Sequence, residues 1–594
     1  MDKKNTTIGV TLVLAAIAVL FFAPRSPAPT QPSNAPASAV AGNASIAASS
    51  TAAPSDSAYT APTRDAASSR VVTLANDVAE IRLTSSGGAI RDVALKHFPA
   101  VQGETRPYVF NDLHEDPILA FTGFPGLGRE ATYDVVTSND HEVVFRTVLD
   151  GKLEVTRRYT FTDPTKPNGD IYRLRHETTL RNLTGNTYAL PTAALSLGTA
   201  EPINSQDVGL NLNVTYYDGS NASYLDRSEL AGGGFGRLFG AGKPPLLVLN
   251  KPDTVVWAGV KNQFFTAIYT PDSPGSGISV RRVQLPAFRD TQRDNVGISG
   301  AALFTLPALA ANASYSLQGY LYVGPREYKR LDKFEKHEDL IMQYARGFSK
   351  YFLSGIVAPA ENRILNLAHS WVGNWGIAVI LMTLMLKIVS LPFTLAASRS
   401  AKRMAKLQPQ MKELREKYKD NPQKQQMATM ELFKANKVNP VGGCIPVLIT
   451  MPLFFGFYSM LSGAAELRFQ PFLWAPDLSA PDTIGHIAGF PINIMPLLMG
   501  ITMIVQMQLT PTPSVDKAQA TMMKFMPLMF IAFCYQFSCA LALYSTINGL
   551  FTIGQQLVIN RMKDPGPVGP GTAAATTASA FARPVKNVTP KKKR

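Results

Sequence analysis

The pattern of hydrophobic and polar positions changes its period along this chain. From Val71 to about Val323, short runs such as LEVTRRYTFT and YRLRHETTL alternate apolar with polar residues, and turns rich in Gly, Asn, Asp and Pro separate them. Such alternation is typical of strands with one buried face. The sequence therefore predicts an all-β domain over residues 71–325, folded as a sandwich of two sheets.

A helical period replaces this alternation after the β-domain. Between Lys329 and about Ile356 the apolar residues step by three or four and charged residues occupy the other faces; the apolar set is Ile341, Tyr344, Phe348 and Phe352. This spacing predicts an amphipathic helix, within a segment of interfacial helix and connector over residues 326–372. The helix either lies flat in a membrane interface or packs against the β-domain, and the pattern is compatible with both positions.

Long apolar stretches follow, at residues 374–396, 442–464, 491–509, 523–540 and 541–559. The first three are each long enough to cross a hydrocarbon layer of about 30 Å at about 1.5 Å per helical residue, and the last two need a tight turn near Ser538 to Ala540. We assign the second span to residues 373–398 and the third to sixth spans to residues 441–562. The predicted fold class is a membrane protein, with an α-helical transmembrane bundle of six spans plus the β-sandwich.

The first span belongs to the N-terminal region. Residues 1–23 carry Lys3 and Lys4 and then an uncharged run from Ile8 to Ala23. A cleaved signal peptide and a retained signal-anchor helix share this pattern; we count it as a transmembrane anchor and leave its cleavage open. Residues 24–70 are mostly Ala, Ser, Pro and Thr, and they predict a flexible linker because they contain too few large apolar side chains to form a core.

The distribution of charge gives the orientation. The formal net charge is +15, and the lysines and arginines concentrate between Arg399 and Lys437 and in the C-terminal tail, residues 563–594. Both basic segments flank apolar stretches, which is the pattern of cytoplasmic loops rather than of a nucleic-acid-binding surface. We therefore expect both termini in the cytoplasm and the β-domain on the other side of the membrane.

Few residues suit cofactor chemistry. The chain has only Cys444, Cys534 and Cys539, all in or beside apolar stretches, and its seven histidines are scattered without metal-ligand spacing. We expect no disulfide framework, no metal and no cofactor.

Lys387 is the most informative single residue, because about ten largely apolar residues flank it on each side. A lysine at the centre of a span costs about 2.5–3.5 kcal/mol. Arg399 marks the expected interface about 18 Å along the helix, at about 1.5 Å per residue. A water-filled cavity is the favoured solution and partial snorkelling the alternative. Polar residues that are able to line such a cavity are Thr383, Thr450, Tyr544, Ser545, Thr546 and Asn548.

The basic segment 399–440 predicts a cytoplasmic helical hairpin that turns at Asp420-Asn421-Pro422. Its first helix carries a seam with steps of three and four residues, formed by Met404, Leu407, Met411, Leu414 and Tyr418. Methionine-rich surfaces adapt to varied apolar partners. We predict docking of a partner or a nascent apolar chain through Met404, Leu407, Met411 and Leu414; a merely solvated connector is the alternative.

Several strings in the C-terminal half resemble the YidC family of membrane protein insertases, relatives of the Oxa-type and Alb-type insertases. These strings are Gly373-Asn374-Trp375-Gly376, Leu407-Gln408-Pro409, KVNPVGGCIPVLITMPLFFGFY from Lys437 to Tyr458, and MMKFMP from Met522 to Pro527. The resemblance covers about residues 340–562, and the large exported β-domain is similar to the Gram-negative form of the family.

The resemblance implies a hydrophilic groove that opens to the cytoplasm and centres on an intramembrane cation, usually Arg, at the position of Lys387. It also implies insertion and folding of inner-membrane proteins, alone or with the Sec translocon, and contacts with nascent chains, the ribosome, the signal recognition particle receptor and the bilayer. Lysine keeps the charge of arginine but loses its planar fork.

Our functional prediction is therefore a membrane protein insertase and chaperone of the bacterial inner membrane, and not an enzyme. A small-solute transporter or channel is a competing hypothesis, although the expected inverted repeats and broken helices are not evident in the sequence. An assembly scaffold, for which Lys387 would be replaceable, is a third hypothesis. Sugar binding by the β-sandwich also stays open.

Overall fold

The computed structural model describes residues 69–112, 116–203, 207, 209–230, 246–285, 296–419, 421–436, 445–509 and 517–561. The predicted N-terminal helix, nearly all of the linker and the basic tail lie outside the described residues. The chain divides into two compact units. The first includes the described residues as far as Arg363 together with Tyr458–Gln470, and the second includes Ile364–Phe457 and the residues from Pro471 onward.

The first unit is built on antiparallel strands that form three sheets. One sheet has four strands in the order β1-β2-β3-β4, one has five in the order β13-β16-β17-β10-β5, and one has nine in the order β12-β11-β14-β15-β18-β9-β8-β7-β6. The strands are β1 Val71–Ala75, β2 Ala79–Thr84, β3 Ala89–Pro99, β4 Pro107–Phe110, β5 Phe121–Thr122, β6 Asp134–Ser138, β7 Glu142–Leu149, β8 Leu153–Phe161, β9 Arg173–Asn182, β10 Ala193–Ala200, β11 Asn213–Tyr217, β12 Ala222–Asp226, β13 Val248–Val255, β14 Trp257–Lys261, β15 Phe265–Pro271, β16 Gly275–Gln284, β17 Val296–Phe304 and β18 Ser314–Pro325. A short helix, α1, spans Arg227–Leu230.

The alternating pattern of the sequence produces this sandwich. In β8 the odd-numbered residues from Leu153 to Tyr159 are buried and the even-numbered ones are more exposed. Every residue of β14 and β15 is buried, because these central strands of the nine-stranded sheet are covered on both faces. The largest fully buried side chain is Trp257. The prediction of an all-β sandwich is confirmed.

A buried arginine ties two loops to the nine-stranded sheet. Arg157 of β8 is fully buried, and its guanidinium donates to the carbonyl oxygen of Gly87 at 2.7 Å, to the Thr178 hydroxyl at 3.2 Å and to the carbonyl oxygen of Leu119. The guanidinium also lies over the Phe121 ring, 5.1 Å from its centroid. Every one of these acceptors belongs to a different part of the chain, so this one side chain holds the sheet and both loops in register.

The segment after β18 corrects the predicted amphipathic helix. It contains a short helix α2 at Tyr328–Leu331, 3-10 turns at Glu338–Met342 and Gly347–Phe352, and a long helix α3 at Ser354–Val372. The prediction of one helix over Lys329 to Ile356 is wrong, because His337, Gln343 and Leu353 adopt positive φ angles that interrupt a right-handed helix.

The apolar period of this segment arises from packing against the sheet. Ile341 is buried and packs on Gly259 of β14. A Cβ atom added to Gly259 would lie 2.9 Å from the Cδ1 atom of Ile341. The indole nitrogen of Trp257 donates to the carbonyl oxygen of Lys336 at 2.8 Å, and Glu338 accepts from Arg173 and from Thr270. The segment before α3 therefore packs on the β-domain, which is the alternative that the pattern left open.

Glu466, in the part of the first unit formed by Tyr458–Gln470, is a half-buried carboxylic acid, and its Oε2 is buried without a hydrogen-bond partner. Burial raises its pKa to about 8, and the nearby Glu327 carboxylate adds to the rise. The acid is thus protonated in the fold at a pH where the unfolded chain, with a pKa near 4.5, has already released the proton. Since the folded pKa is the higher one, this group lowers the stability of the fold as the pH rises from about 4.5 to about 8.

We expect Glu466→Gln to remove this dependence. The unfolding temperature of the full-length protein in detergent should fall between pH 5 and pH 8 less steeply in Glu466→Gln than in the unchanged protein. Glu130→Gln, at a side chain that is 80% exposed, is the matched control and should follow the unchanged protein. Equal slopes in all three proteins would contradict the assignment.

The second unit consists mainly of helices. They are α4 Trp375–Lys406, α5 Gln408–Lys417, α6 Pro422–Ala435, α7 Ile445–Leu461, whose last turn belongs to the first unit, α8 Ile494–Leu509, α9 Lys517–Cys534 and α10 Cys539–Arg561. A hairpin of β19 Thr483–Ile487 and β20 Phe490–Asn493 precedes α8. The side chain of Asn374 caps α4 by accepting from the backbone N–H of Ile377 at 3.1 Å.

All five predicted apolar stretches form helices, although their bounds differ. The break between α9 and α10 lies at residues 535–538, slightly earlier than predicted. Among the described residues, the part of α4 from Trp375 to Ala396 is the helix that is long and apolar enough to cross a membrane, and Thr450–Leu461 and Ile494–Leu509 are shorter apolar helices. The number of six spans stays a prediction.

Helix α10 packs closely on α8 at a glycine. A Cβ atom on Gly549 would lie 2.6 Å from the Thr502 hydroxyl and 2.9 Å from its Cβ. We expect Gly549→Ala to destabilise the helical unit by about 1–3 kcal/mol, because the added methyl group overpacks this contact.

Gly554 of the same helix is the control, since a Cβ atom there meets nothing within 4 Å. Gly554→Ala should be neutral or stabilising, by up to about 1 kcal/mol. Unfolding of the two full-length variants in mixed micelles of detergent and denaturant measures the difference, and an equal effect at both positions would contradict the packing argument.

Candidate functional site

Lys387 lies on α4, and its side chain is anchored to α10. The residue is 8% exposed, its ammonium donates to the Thr552 hydroxyl at 3.0 Å, and it lies 5.9 Å from the centroid of the Phe551 ring. Thr552 donates its own hydrogen to the carbonyl oxygen of Asn548 at 2.8 Å, so its oxygen is oriented to accept from the lysine. Helices α4, α7, α8, α9 and α10 contain no Asp or Glu. The anchor of the cation is therefore a neutral hydroxyl.

A narrow cleft adjoins Lys387 between three helices. Its lining residues are Thr383, Leu386, Lys387 and Ser390 of α4, Thr450 and Leu453 of α7, and Tyr544 and Asn548 of α10. Five of the six residues predicted for a substrate groove thus come together: Lys387, Thr383, Thr450, Tyr544 and Asn548. The mixture of hydroxyl, amide and ammonium groups with two leucines gives the cleft both polar and apolar wall.

Ser545 and Thr546 do not line this cleft. The hydroxyl oxygen of Ser545 is buried without a hydrogen-bond partner, and Thr546 is buried and donates to the carbonyl oxygen of Ala542 at 2.8 Å. They lie one and two residues after Tyr544, and successive residues of a helix point in different directions. Their inclusion in the groove is thus not supported by the geometry.

The lining side chains are held in place by local contacts. The Thr383 hydroxyl donates to the carbonyl oxygen of Val379 at 2.6 Å. The Tyr544 ring stacks on Phe457 of α7 with the centroids 3.8 Å apart. These contacts fix the cleft wall, whereas the ammonium of Lys387 has three hydrogens and its contact with Thr552 uses one of them.

The contact between α4 and α10 remains polar toward the basic end of α4. The Gln555 amide donates to the Thr394 hydroxyl at 3.0 Å, and the Lys402 ammonium donates to the carbonyl oxygen of Ile559 at 3.4 Å. Sequence reasoning missed Ser390, Thr552 and this polar contact. Helical spacing was the available signal, because Ser390 lies three residues after Lys387 and Thr552 four residues after Asn548.

Helices α5 and α6 form the predicted hairpin, but its seam is buried. Met404, Leu407 and Met411 pack against Phe433 and Leu432 in a small core, and Leu414 is partly exposed. The prediction that all four residues form a docking surface is therefore corrected: Met404, Leu407 and Met411 lie in this core and not on the surface. Two other methionines of the hairpin, Met427 and Met430 of α6, are exposed, at 61% and 47%.

The chain is similar to known proteins along most of its length. A family model described as the YidC periplasmic domain matches residues 71–354, and one described as the 60Kd inner membrane protein matches residues 367–565. The membrane protein insertase YidC of Burkholderia multivorans is 30% identical over 94% of this chain and 98% of its own length. That of Tolumonas auensis is 30% identical over 83% of this chain and 87% of its own.

A solved structure, an active YidC insertase crystal structure with its first transmembrane domain resolved, aligns with 83% of this chain and 93% of its own. The identity is 16% and the TM-score is 0.31.

Proposed function

Because the chain belongs to the family of YidC membrane protein insertases, we propose that it inserts hydrophobic segments of other proteins into the inner membrane. The chain is an inner membrane protein, and its β-sandwich is its periplasmic domain. We further propose six spans with both termini in the cytoplasm, an orientation that the basic residues between Arg399 and Lys437 support.

The observation that carries the proposed mechanism is a buried lysine held by a hydroxyl, beside a cleft with polar walls. The polar flank of an entering segment loses water, and each unpaired polar group then costs about 1–3 kcal/mol. In the proposed step, Lys387 and the hydroxyl and amide groups of Thr383, Thr450 and Asn548 replace part of that water. A flank with acidic residues is stabilised most in the cleft, because the site presents a cation and its helices carry no competing carboxylate.

The apolar part of the substrate supplies the driving force. Each Å² of apolar surface moved from water into lipid contributes about 25 cal/mol. A polar groove that opens to the cytoplasm shortens the dry path of the hydrophilic flank, so less of this energy is lost to desolvation. The segment then leaves the groove for the bilayer, and no covalent chemistry is needed.

The cytoplasmic hairpin is the proposed first contact. Met427 and Met430 lie one turn apart on α6 and are exposed, with Lys424 and Lys434 on the same helix. Flexible thioethers suit apolar segments of varied sequence, and the lysines suit an acidic partner such as ribosomal RNA. The ribosome, the signal recognition particle receptor and the Sec translocon are proposed partners on the basis of the family, as is a chaperone role in folding.

Site-specific photocrosslinking tests the proposal. A photoreactive residue at Thr383, Thr450 or Tyr544 should crosslink to ribosome-tethered nascent inner-membrane proteins, and the same residue at Val558, which is 59% exposed on α10, is a control outside the cleft. Crosslinks from the cleft positions alone support the insertase. Solute flux through reconstituted protein without such crosslinks would instead favour the transporter hypothesis.

Thr552 provides a finer prediction. We expect Thr552→Val to lower the insertion rate of substrates with acidic flanks by roughly threefold to tenfold, because Lys387 loses the acceptor that orients it and a typical hydrogen bond contributes about 0.5–1.5 kcal/mol net. Thr552→Ser keeps the hydroxyl and should restore the rate. Equal rates for the Val and Ser variants would show that the hydroxyl has no positioning role.

A further inference from the structure

The segment from Pro471 to Asn493 has an inverted distribution of polar and apolar side chains. Its acidic residues, Asp477 and Asp482, are buried, whereas several of its large apolar side chains are exposed. Ile487 is 69% and Phe490 58% exposed, next to the turn of the β19–β20 hairpin; the other exposed members are Ile484, Leu473 and Trp474. Its remaining ionisable group is the exposed His486. Such a surface is unfavourable in water and suits an apolar environment.

The exposed surface is held rigidly. One carboxylate oxygen of Asp482 accepts from the indole nitrogen of Trp474 at 2.8 Å and from the backbone N–H of Met495 at 2.7 Å, which ties the segment to the start of α8. The Tyr535 hydroxyl donates to the carbonyl oxygen of Pro491 at 2.7 Å, and the side-chain amide of Asn493 donates to the carbonyl oxygen of Tyr535 at 2.7 Å. These hydrogen bonds fix the backbone of the segment, and the apolar side chains face outward as a consequence of that fixed backbone.

The surface is continuous with one face of α8. Strand β20 ends at Asn493 and α8 begins at Ile494, so Phe490 lies within about 13 Å of the helix at about 3.3 Å per strand residue. Helix α8 has its own exposed apolar face, formed by Leu497, Leu498, Ile501, Ile504 and Val505. Helix α8 contributes no residue to the cleft beside Lys387. A substrate held in that cleft is therefore not the natural occupant of this surface.

The chain order gives the side of the membrane. Tyr458–Gln470, directly before this segment, folds into the unit that contains the periplasmic β-sandwich. The segment consequently starts on the periplasmic side, and α8 carries the chain onward. The pairing of β19 with β20 satisfies the backbone groups between the two strands, which lowers the cost of placing the hairpin at the edge of a hydrocarbon layer.

We propose that the β19–β20 hairpin is a lipid-binding element of the periplasmic leaflet, with Ile487 and Phe490 among the acyl chains and Trp474 at the level of the head groups. It anchors the outer end of α8 against the bilayer while the groove side of the bundle handles substrate. The inference rests on the membrane topology of the proposed function, but not on insertase activity.

Spin-label accessibility tests the proposal in the full-length protein, reconstituted in vesicles of phosphatidylethanolamine and phosphatidylglycerol. A nitroxide is attached at Ile487→Cys, and for comparison at Leu210→Cys, a 74% exposed position of the β-sandwich. The signal of unsubstituted protein treated with the same reagent is subtracted. We expect the ratio of oxygen to nickel-chelate collisions at Ile487→Cys to exceed that at Leu210→Cys by roughly an order of magnitude, because oxygen partitions into the acyl region and the chelate does not.

Two results would overturn the proposal. Equal ratios at both positions would place the hairpin in water. A high ratio at Ile487→Cys that arises only when a ribosome-tethered nascent chain is bound would make the surface a substrate-docking site. Insertion of a model substrate is measured in the same vesicles. A loss of insertase activity leaves the collision ratio at Ile487→Cys high, whereas a failure of lipid binding lowers that ratio.

Discussion

Lys387→Met is expected to reduce the insertion of substrates with acidic flanks by about tenfold to a hundredfold, which corresponds to the loss of one charge-assisted contact of about 1.5–3 kcal/mol. Methionine fills a similar volume but has no charge and no hydrogen to donate. The membrane-embedded fold should tolerate the change, because removing a buried ammonium also removes its cost of about 2.5–3.5 kcal/mol. The measurement is the rate at which radiolabelled substrates become protease-protected in vesicles.

Two control variants sharpen this experiment. Lys387→Arg keeps the charge and should retain insertion, with a gain for acidic flanks if the planar fork binds a carboxylate in two places. Lys402→Met removes a lysine from the same helix at a contact with the Ile559 carbonyl, outside the cleft, and should have little effect. The proposed groove chemistry would be wrong if Lys387→Met inserted substrates with acidic and with neutral flanks at the rates of the unchanged protein. That result would favour the assembly-scaffold hypothesis.

Arg157→Leu is expected to destabilise the periplasmic domain by at least about 3 kcal/mol. The change leaves the carbonyl oxygens of Gly87 and Leu119 and the Thr178 hydroxyl buried without their donor, and each such loss costs about 1–3 kcal/mol. The neighbouring Arg158 is the matched control: its side chain is 54% exposed and 3.8 Å from Glu142, so Arg158→Leu should change stability by about 0.5 kcal/mol or less.

Pulse proteolysis of the full-length proteins across a urea series measures both changes. The fraction of intact β-domain should fall at a lower urea concentration in Arg157→Leu than in the unchanged protein, and Arg158→Leu should follow the unchanged protein. Equal midpoints for the two leucine variants would mean that the buried contacts of Arg157 contribute no more than a surface ion pair.

Local periodicity accounts for what the sequence predicted well. The alternation in β8 indicates one buried face because one side of the strand is packed in the β-domain. A lysine within an apolar helix has few stable environments, so Lys387 was identifiable as a residue of a polar cleft, and its role there stays a prediction. Helical spacing also placed Thr383 correctly, one turn from Lys387.

The remaining features depend on contacts between distant parts of the chain. The three-residue spacing of Ile341 and Tyr344 fits a helix. In the structure both are buried in a segment that packs on the sheet and is interrupted by the positive φ of Gln343. The alternation of β8 places Arg157 on the buried face and Arg158 on the exposed face, but the sequence does not show that the distant carbonyls of Gly87 and Leu119 accept from the Arg157 guanidinium. Likewise, a heptad seam does not reveal whether Met411 faces a partner protein or Phe433 of its own hairpin.

The return of Tyr458–Gln470 to the first unit has a consequence for genetic dissection. Arg468, in this stretch, donates to the carbonyl oxygen of Ala100 at 3.0 Å. The side-chain amide of Gln263 donates to the carbonyl oxygen of Ser462, also at 3.0 Å. A truncation that removed the β-sandwich would leave Arg468 and Glu466, which the fold had enclosed, without the surroundings that accommodate them. The defect of such a mutant would then combine a missing domain with a damaged remainder, and only point substitutions within the sandwich would separate the two.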